Sequence, residues 1–209
     1  MSKRLLLACV MVLALTLPAR AEGTGVYAGI KIIDSIQSAW VDGPLSKQYT
    51  QNTLGGGIFA GYDFFPVQNL PIRVEAEYAV RTALDKSYSG FAGADPWTMK
   101  YDVNLHTIMG NVYFDLHNST AFTPYIGAGV GIGIVRANLE SRWGGLSREV
   151  SDFSTEFAWN IGAGCSYSFN EMVSADLAYR FLDVTEAEIK STKIKLNTHE
   201  ISLGLRLNF

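Results

Sequence analysis

The chain has 209 residues, of which 48% are hydrophobic, 12% aromatic and only 18% charged, with a formal net charge of −3. A slightly negative charge gives no basis for nucleic-acid binding. Cys165 is the only cysteine after the first 21 residues, which excludes an intramolecular disulfide framework or a thiolate metal cluster there. Without any metal-ligand spacing, the sequence predicts neither a metal nor a cofactor. The 20 glycines and the aromatic content favour strands and turns over helices.

The first 21 residues have the features of a secretory signal peptide. Lys3 and Arg4 precede an apolar stretch over residues 5–17, and residues 19–21 fit a small-x-small cleavage site. The stretch is shorter than the roughly 17–25 residues that a membrane-spanning helix needs. It continues past Cys9, so the resemblance of residues 6–9 to a lipoprotein box is weak. We expect a signal peptide over residues 1–21 and one domain over residues 22–209.

Alternation of apolar and polar side chains divides that domain into eight predicted strands, and no segment has a clear helical period. The first three strands cover residues 26–36, 53–64 and 72–82. One face of the third strand is purely apolar, and the other carries Arg73, Glu75, Glu77 and Arg81. An apolar face opposite four charges is typical of a strand that separates lipid from a polar barrel interior.

The fourth and fifth predicted strands cover residues 100–116 and 124–135, and the fifth contains a column of glycines at 127, 129, 131 and 133. The column lacks the third glycine of a dinucleotide-binding loop at the required spacing, and no helix follows it. Glycines in a strand usually mark places where bulky groups pack against the backbone. We expect Arg and Tyr side chains from other strands to occupy this space.

The last three predicted strands cover residues 153–168, 173–182 and a C-terminal segment that ends at residue 209. In that segment apolar side chains alternate with polar or small ones, so one face of the predicted strand is apolar. We expect this strand to close the sheet. The apolar face ends on an aromatic residue and is similar to the signal recognised by the bacterial outer-membrane barrel-assembly machinery. The residues that carry this assembly signal are Leu203, Leu205, Leu207 and Phe209.

The predicted connections alternate in length. Polar loops over residues 37–52, 83–99 and 136–152 alternate with turns over 65–71, 117–123 and 169–172, and a shorter loop over 183–191 precedes the last strand. Short periplasmic turns and longer external loops are the outer-membrane arrangement. Aromatic residues at the strand ends are expected to form an interfacial girdle on the short-turn side: Tyr62, Phe64, Phe114, Tyr167, Phe169 and Phe209. The predicted fold is an all-β, eight-stranded antiparallel transmembrane barrel.

Several segments resemble the eight-stranded outer-membrane β-barrel superfamily of OmpA-type and Opa-type opacity surface proteins. They are residues 26–29, 111–115, 124–131, 179–181 and 199–209. The resemblance touches most strands and implies a porin-like barrel located in the bacterial outer membrane. It implies little about activity, because the shared residues are scaffold and functions in this superfamily lie in variable loops.

The alternation places a set of charged side chains inside the barrel, five positive and six negative: Lys31, Asp63, Arg73, Glu75, Glu77, Arg81, Asp115, Asp176, Arg180, Glu200 and Arg206. A lining that selects ions by charge would favour one sign. Eight strands enclose an interior that side chains can fill. The balanced set therefore predicts a structural cluster of paired charges in a narrow lumen.

The long loops carry aromatic residues that either pack the loops together or contact a host or envelope protein or glycan: Trp40, Tyr49, Tyr88, Phe91, Trp97 and Trp143. We therefore predict a surface antigen whose barrel is a scaffold and whose loops mediate adhesion or envelope interactions. Its other expected partners are outer-membrane lipids, lipopolysaccharide and the barrel-assembly machinery. The sequence supports no nucleic-acid partner.

A narrow porin-like channel is the first alternative function and a lipid A-modifying enzyme is the second. Such an enzyme needs a Ser–His–acid or comparable set on the outer-leaflet side. His117 lies in a predicted periplasmic turn, and Glu200 and Ser202 share a strand face that His199 does not. The sequence therefore predicts a protein without enzymatic activity.

Overall fold

An extended strand has unpaired N–H and C=O groups along both edges, and this chain pairs them by closing its sheet into a barrel. The computed structural model describes residues 23–41, 47–92, 95–143, 146–189 and 192–209. The strands are β1 Val26–Val41, β2 Lys47–Asp63, β3 Ile72–Ala92, β4 Asp95–Asp115, β5 Phe122–Trp143, β6 Leu146–Ser168, β7 Val173–Ile189 and β8 Thr192–Asn208. The predicted eight-stranded antiparallel barrel is confirmed. The predicted signal peptide lies outside the described residues.

Closure depends on the pairing of β1 with β8, which runs from Tyr27 opposite Asn208 to Val41 opposite Ile194. Followed from strand to strand, the row of paired residues that starts at Tyr27 returns to β1 at Gln37, a stagger of about ten residues. With ordinary strand spacing and rise, this stagger corresponds to a strand tilt of about 40°.

The two faces of the sheet are divided as the alternation predicts. Outward side chains such as Ile32 and Leu54 are 66% and 67% exposed on the isolated chain, whereas inward Glu77 and Arg81 are 2% and 3% exposed. This inversion, with apolar groups outside and charges inside, is what a lipid-facing barrel requires.

The strands extend much further at one end than the sequence predicts, so the loop assignments over residues 37–52, 83–99, 136–152 and 183–191 are wrong. Pairing continues between β3 and β4 up to Ala92 opposite Asp95, and between β5 and β6 up to Trp143 opposite Leu146. Beyond the buried base of each hairpin both faces of a strand meet water, so the apolar alternation by which a strand is recognised stops there. We call these four extensions the protruding hairpins; they comprise the described residues within 37–53, 82–104, 136–153 and 183–198.

The opposite end of the barrel has compact connections, which we call the turn end. A single-turn helix, α1 (Phe65–Gln68), lies between β2 and β3, with Pro66 in its first turn and the left-handed Asn69 as its C-cap. The sequence analysis missed it because four residues cannot establish a helical period. Among the residues that the structure describes, no helix has the length and apolar character to cross a membrane.

Two aromatic girdles bound the apolar outer surface. At the turn end, Tyr62 packs on Phe64, and Tyr167 packs on Phe169 and Phe122, with ring centroids 4.8–5.0 Å apart. The second girdle, near the protruding hairpins, was not predicted. It consists of Tyr78, His106, Trp159, Tyr179, Phe181 and His199. The girdles mark the two interfaces of a bilayer.

The girdles place Leu203 near the middle of the bilayer, and this position gives a test of the membrane boundaries. The Leu203→Arg substitution should lower the free energy of unfolding by about 2–4 kcal/mol, because it places a charge in lipid. The outward Thr50→Arg substitution, on a protruding hairpin, should change the free energy by less than about 1 kcal/mol. Urea titrations of protein refolded into phospholipid vesicles measure both. Equal effects at the two positions would contradict these boundaries.

Candidate functional site

A connected chain of ion pairs crosses the lumen. Lys31 Nζ lies 2.6 Å from Glu77 Oε2. Arg180 links Glu77 to Glu200: its Nη2 lies 2.8 Å from Glu77 Oε1, and its Nε lies 2.6 Å from Glu200 Oε2. Arg81 Nε completes the chain at 2.5 Å from Glu200 Oε1. Glu75 adds a longer contact, 3.6 Å from Lys31. We call these six residues the ionic chain; they contribute three positive and three negative charges.

Arg180 is the centre of the ionic chain. Its Nη1 and Nη2 donate to the two carboxylate oxygens of Glu77, each at 2.8 Å, and its Nε donates to Glu200. Glu200 is its direct neighbour on β8, but Glu77 lies on β3, across the lumen. A bidentate guanidinium–carboxylate contact is both strong and directional. It therefore ties opposite walls of the barrel together.

Neutral polar groups complete the environment of the ionic chain. The hydroxyls of Ser35 and Thr198 donate to Glu200 Oε1, and Arg81 Nη1 donates to Thr107. The Tyr113 hydroxyl donates to Glu75 at 3.1 Å. Such contacts offset the cost of removing charges from water.

A second group of charges lies nearer the turn end. Arg73 Nε donates to Asp115 Oδ2 at 2.5 Å, and its guanidinium carbon lies 4.9 Å from the ring centroids of both Tyr113 and Tyr125. Arg206 and Asp176 approach only to 3.8 Å. Ten of the eleven predicted lumen residues thus make ion-pair contacts in the structure. The remaining one, Asp63, is half-buried at the end of β2 and accepts a hydrogen bond from the Phe65 amide.

On the hairpin side of the ionic chain the lumen is filled by apolar side chains. We call this cluster the apolar plug; each member is at most 2% exposed: Leu105, Met109, Val135, Ala158, Leu182, Val184 and Leu196. The cluster was not predicted, although the alternation within predicted strand seven places Leu182 inside and, continued past residue 182, would also have placed Val184 there. The sequence analysis also omitted inward Glu156, which accepts a hydrogen bond from Ser154.

The glycine column is occupied differently from the prediction. A methyl group at Gly127 would meet the Tyr113 ring, as predicted. At Gly129 it would meet the amides of Asn111 and Asn160, at Gly131 Met109, and at Gly133 Val184. No arginine is among the three nearest described atoms at any of these four positions, because Tyr113, the plug and an asparagine pair fill that space. Arg180 lies instead against Gly162, on β6.

Little free space remains in the lumen beside the ionic chain. The cavity beside the ionic chain has a volume of about 50 Å³ and is lined by Lys31, Arg73, Glu75 and Arg180 among others. A water molecule takes about 30 Å³ of liquid volume, so this cavity holds one or two. A larger cavity of about 540 Å³ opens at the turn end, around Asp63, Asp115 and Arg206. Between this vestibule and the hairpins, the described side chains of the ionic chain and of the apolar plug occupy the lumen.

The six predicted contact aromatics lie on strands of the protruding hairpins rather than in loops. Phe91 is 78% exposed, and Trp97 is half-buried and covers Gly90. The side chains of Trp40, Tyr49, Tyr88 and Trp143 lie outside the described side chains. Of the two predicted contact residues whose side chains are described, Phe91 is the more exposed.

The histidines do not assemble a catalytic set with the nearby serine and carboxylate. His199 faces outward and its Nδ1 lies 2.7 Å from the Tyr179 hydroxyl, whereas Glu200 and Ser202 face the lumen. His106 makes the matching outward contact with Tyr78 at 2.9 Å. Both histidines are rim residues, and His117 lies just beyond β4 at the turn end, stacked on Phe65.

Comparison with known proteins agrees with this architecture. A family model of the outer membrane protein beta-barrel domain matches residues 5–209. PagN, an outer membrane protein of Salmonella typhimurium strain LT2, is 33% identical over 156 residues, which cover 72% of this chain and 65% of PagN. A Rickettsia conorii protein named as a candidate adhesin is 25% identical over 154 residues, covering 71% and 60%. The chain thus spans less than two thirds of the length of these relatives.

Among solved structures, Neisserial surface protein A superposes with a TM-score of 0.59 at 20% sequence identity, covering 89% of this chain and 98% of the other. At this identity the likeness shows the fold alone.

Glu200 provides a test of the ionic chain. The Glu200→Ala substitution leaves Arg81 and Arg180 without this shared partner and should lower the free energy of unfolding by about 3–5 kcal/mol. The exposed pair of Arg142 and Glu140 serves as the control, and Glu140→Ala should cost at most about 1 kcal/mol. Urea titrations in vesicles measure both, and a small effect of Glu200→Ala would show that the ion pairs are not structural.

Proposed function

The chain belongs to the family of outer membrane protein β-barrel domains, and we propose that it is an adhesion-type surface protein whose protruding hairpins bind a ligand outside the cell. Its barrel lies in the bacterial outer membrane. The observation that carries the proposal is the asymmetry of the strands, which stay paired beyond the girdle at one end only, with a shift of the β3–β4 register between Arg81 and Leu84. Short turns in outer-membrane barrels face the periplasm, so the hairpins point outward.

The hairpin formed by β3 and β4 is the strongest candidate for ligand contact. Phe91 presents most of its ring to solvent near the hairpin tip, and Trp97 packs over the neighbouring Gly90. Aromatic side chains on rigid strands lose little conformational freedom on binding and dominate many interfaces. The name of the Rickettsia relative supports adhesion as the role of this surface. The ligand class is a host or envelope protein or glycan.

Two further partners fit the outer surface. The apolar belt and its girdle of Tyr–His pairs suit outer-membrane lipid and lipopolysaccharide, with hydroxyls and imidazoles at headgroup level. On β8, Leu203 and Leu205 are 52% and 46% exposed, which leaves this face open to the barrel-assembly machinery. We also infer that residues 1–21 are removed on export, which their charged, apolar and small-residue segments support.

The arrangement supports neither alternative function. A pore needs a continuous aqueous path, and the apolar plug and ionic chain fill that path with buried side chains. A lipid A-modifying enzyme needs nucleophile and base on one face, and Ser202 and His199 lie on opposite faces of β8.

The sealed lumen leads to an electrical prediction. Purified protein refolded in planar bilayers should give no stable conductance steps in neutral salt, because side chains occupy the axis. Large, long-lived steps would contradict the scaffold role and favour the porin-like alternative.

The adhesion proposal is tested at Phe91. Bacteria of a non-adherent Gram-negative strain that display the protein should bind cultured host cells, and Phe91→Ser should reduce binding at least about fivefold, as loss of a central aromatic contact does. The matched control is Phe169→Ser, which is also an exposed phenylalanine but lies at the turn end. Surface display is checked by whole-cell antibody binding. Equal adhesion of wild type and the Phe91 variant would reject this contact, and absence of adhesion by the wild type would reject the proposed function.

A further inference from the structure

Three potential metal ligands meet at the turn end of the barrel. Asp63 is the last residue of β2, Asp115 is the last residue of β4, and His117 follows two residues later. One ligand atom from each lies within 4.8 Å of the other two. They border the vestibule of about 540 Å³, which opens to the periplasmic side.

Phe65 contacts two of these three groups. Its backbone amide donates to Asp63 Oδ1 at 2.9 Å, so the other oxygen of Asp63 is left for a ligand. Its ring stacks on the His117 imidazole, with centroids 3.6 Å apart and planes 8° from parallel. Outer contacts of this kind orient metal-binding side chains in known sites.

Asp115 supplies a second, independent observation. The residue is only 3% exposed, and its Oδ2 accepts the hydrogen bond from Arg73. Its Oδ1 is buried and has no hydrogen-bond partner among the described residues. A buried carboxylate oxygen without a partner is costly, and a cation in the cluster would satisfy it.

We propose that Asp63, Asp115 and His117 bind a divalent first-row transition metal of the Zn²⁺ class at the periplasmic mouth. Two carboxylate oxygens and an imidazole nitrogen suit such an ion, whereas Ca²⁺ and Mg²⁺ prefer oxygen ligands throughout. Metal–ligand bonds of about 2.0–2.2 Å require the three ligand atoms to move closer together, which small rotations of the half-buried Asp63 and the exposed His117 would provide. The ion would join the β2–β3 turn to the β4–β5 turn.

The sequence analysis missed this site because its ligands come from two different turns and show no local spacing. They become neighbours through the pairing of β3 with both β2 and β4, and through the hydrogen bond from the Asp115 amide to the Pro71 carbonyl. The site lies at the opposite end of the barrel from the hairpins, so a test of metal binding does not depend on the proposed adhesion function.

Zinc binding to the full chain, refolded in detergent after treatment with a chelator, tests the proposal. Both cysteines, Cys9 and Cys165, are replaced by serine so that no thiol competes. Competition with a chromogenic zinc indicator should show one bound Zn²⁺, and His117→Ala should weaken its affinity at least about tenfold. The matched controls are His106→Ala and His199→Ala, the other two histidines of the chain, which should leave the affinity unchanged.

Folding of each variant is verified by heat-dependent migration on a denaturing gel. Asp63→Asn provides a second ligand variant that keeps the side-chain volume, and it should also weaken zinc binding. Absence of stoichiometric Zn²⁺ binding, or equal affinity of wild type and His117→Ala, would overturn the proposal. Equal binding of Ca²⁺ and Zn²⁺ would contradict the assigned metal class.

Discussion

The backbone of a strand in lipid has no water to bond with, so each N–H and C=O group within the bilayer needs a protein partner. In this chain the requirement is met by the pairing of β1 with β8, which turns an open eight-stranded sheet into a cylinder. The remaining features depend on that closure. The stagger of the pairing sets the strand tilt and the width of the interior, and the width decides how the interior can be filled.

A narrow interior with charged walls is stable only when the charges neutralise each other. The ionic chain meets this condition with three positive and three negative groups, and Arg180 spans the lumen to reach Glu77. Nearer the hairpins apolar side chains fill the space instead. This interior stabilises the cylinder but leaves no continuous path for solutes. In the adhesion function that we propose, ligand recognition therefore belongs to the parts of the chain that leave the membrane.

The sequence was most informative where lipid imposes a strict alternation. Residues 72–81 show both the outward apolar face and the inward charges, and the structure places every one of them on the predicted side. The prediction was wrong beyond the girdle, as in residues 83–92, because water on both faces of a hairpin removes the alternation. Individual side-chain contacts could not be predicted from the sequence either. The pairing of Arg180 with Glu77, and the meeting of Asp63 with His117, depend on barrel register rather than on local spacing.

We propose that the membrane-embedded half of the barrel is stable without the protruding hairpins and that the hairpins carry the function. The most direct test shortens all four hairpins at the level of the outer girdle and joins the strands by two-residue Asn-Gly turns, which suit β-hairpins. The shortened protein should still insert and show heat-dependent gel migration, while adhesion to host cells is lost. An unfolded product, or a folded one that retains full adhesion, would contradict the account.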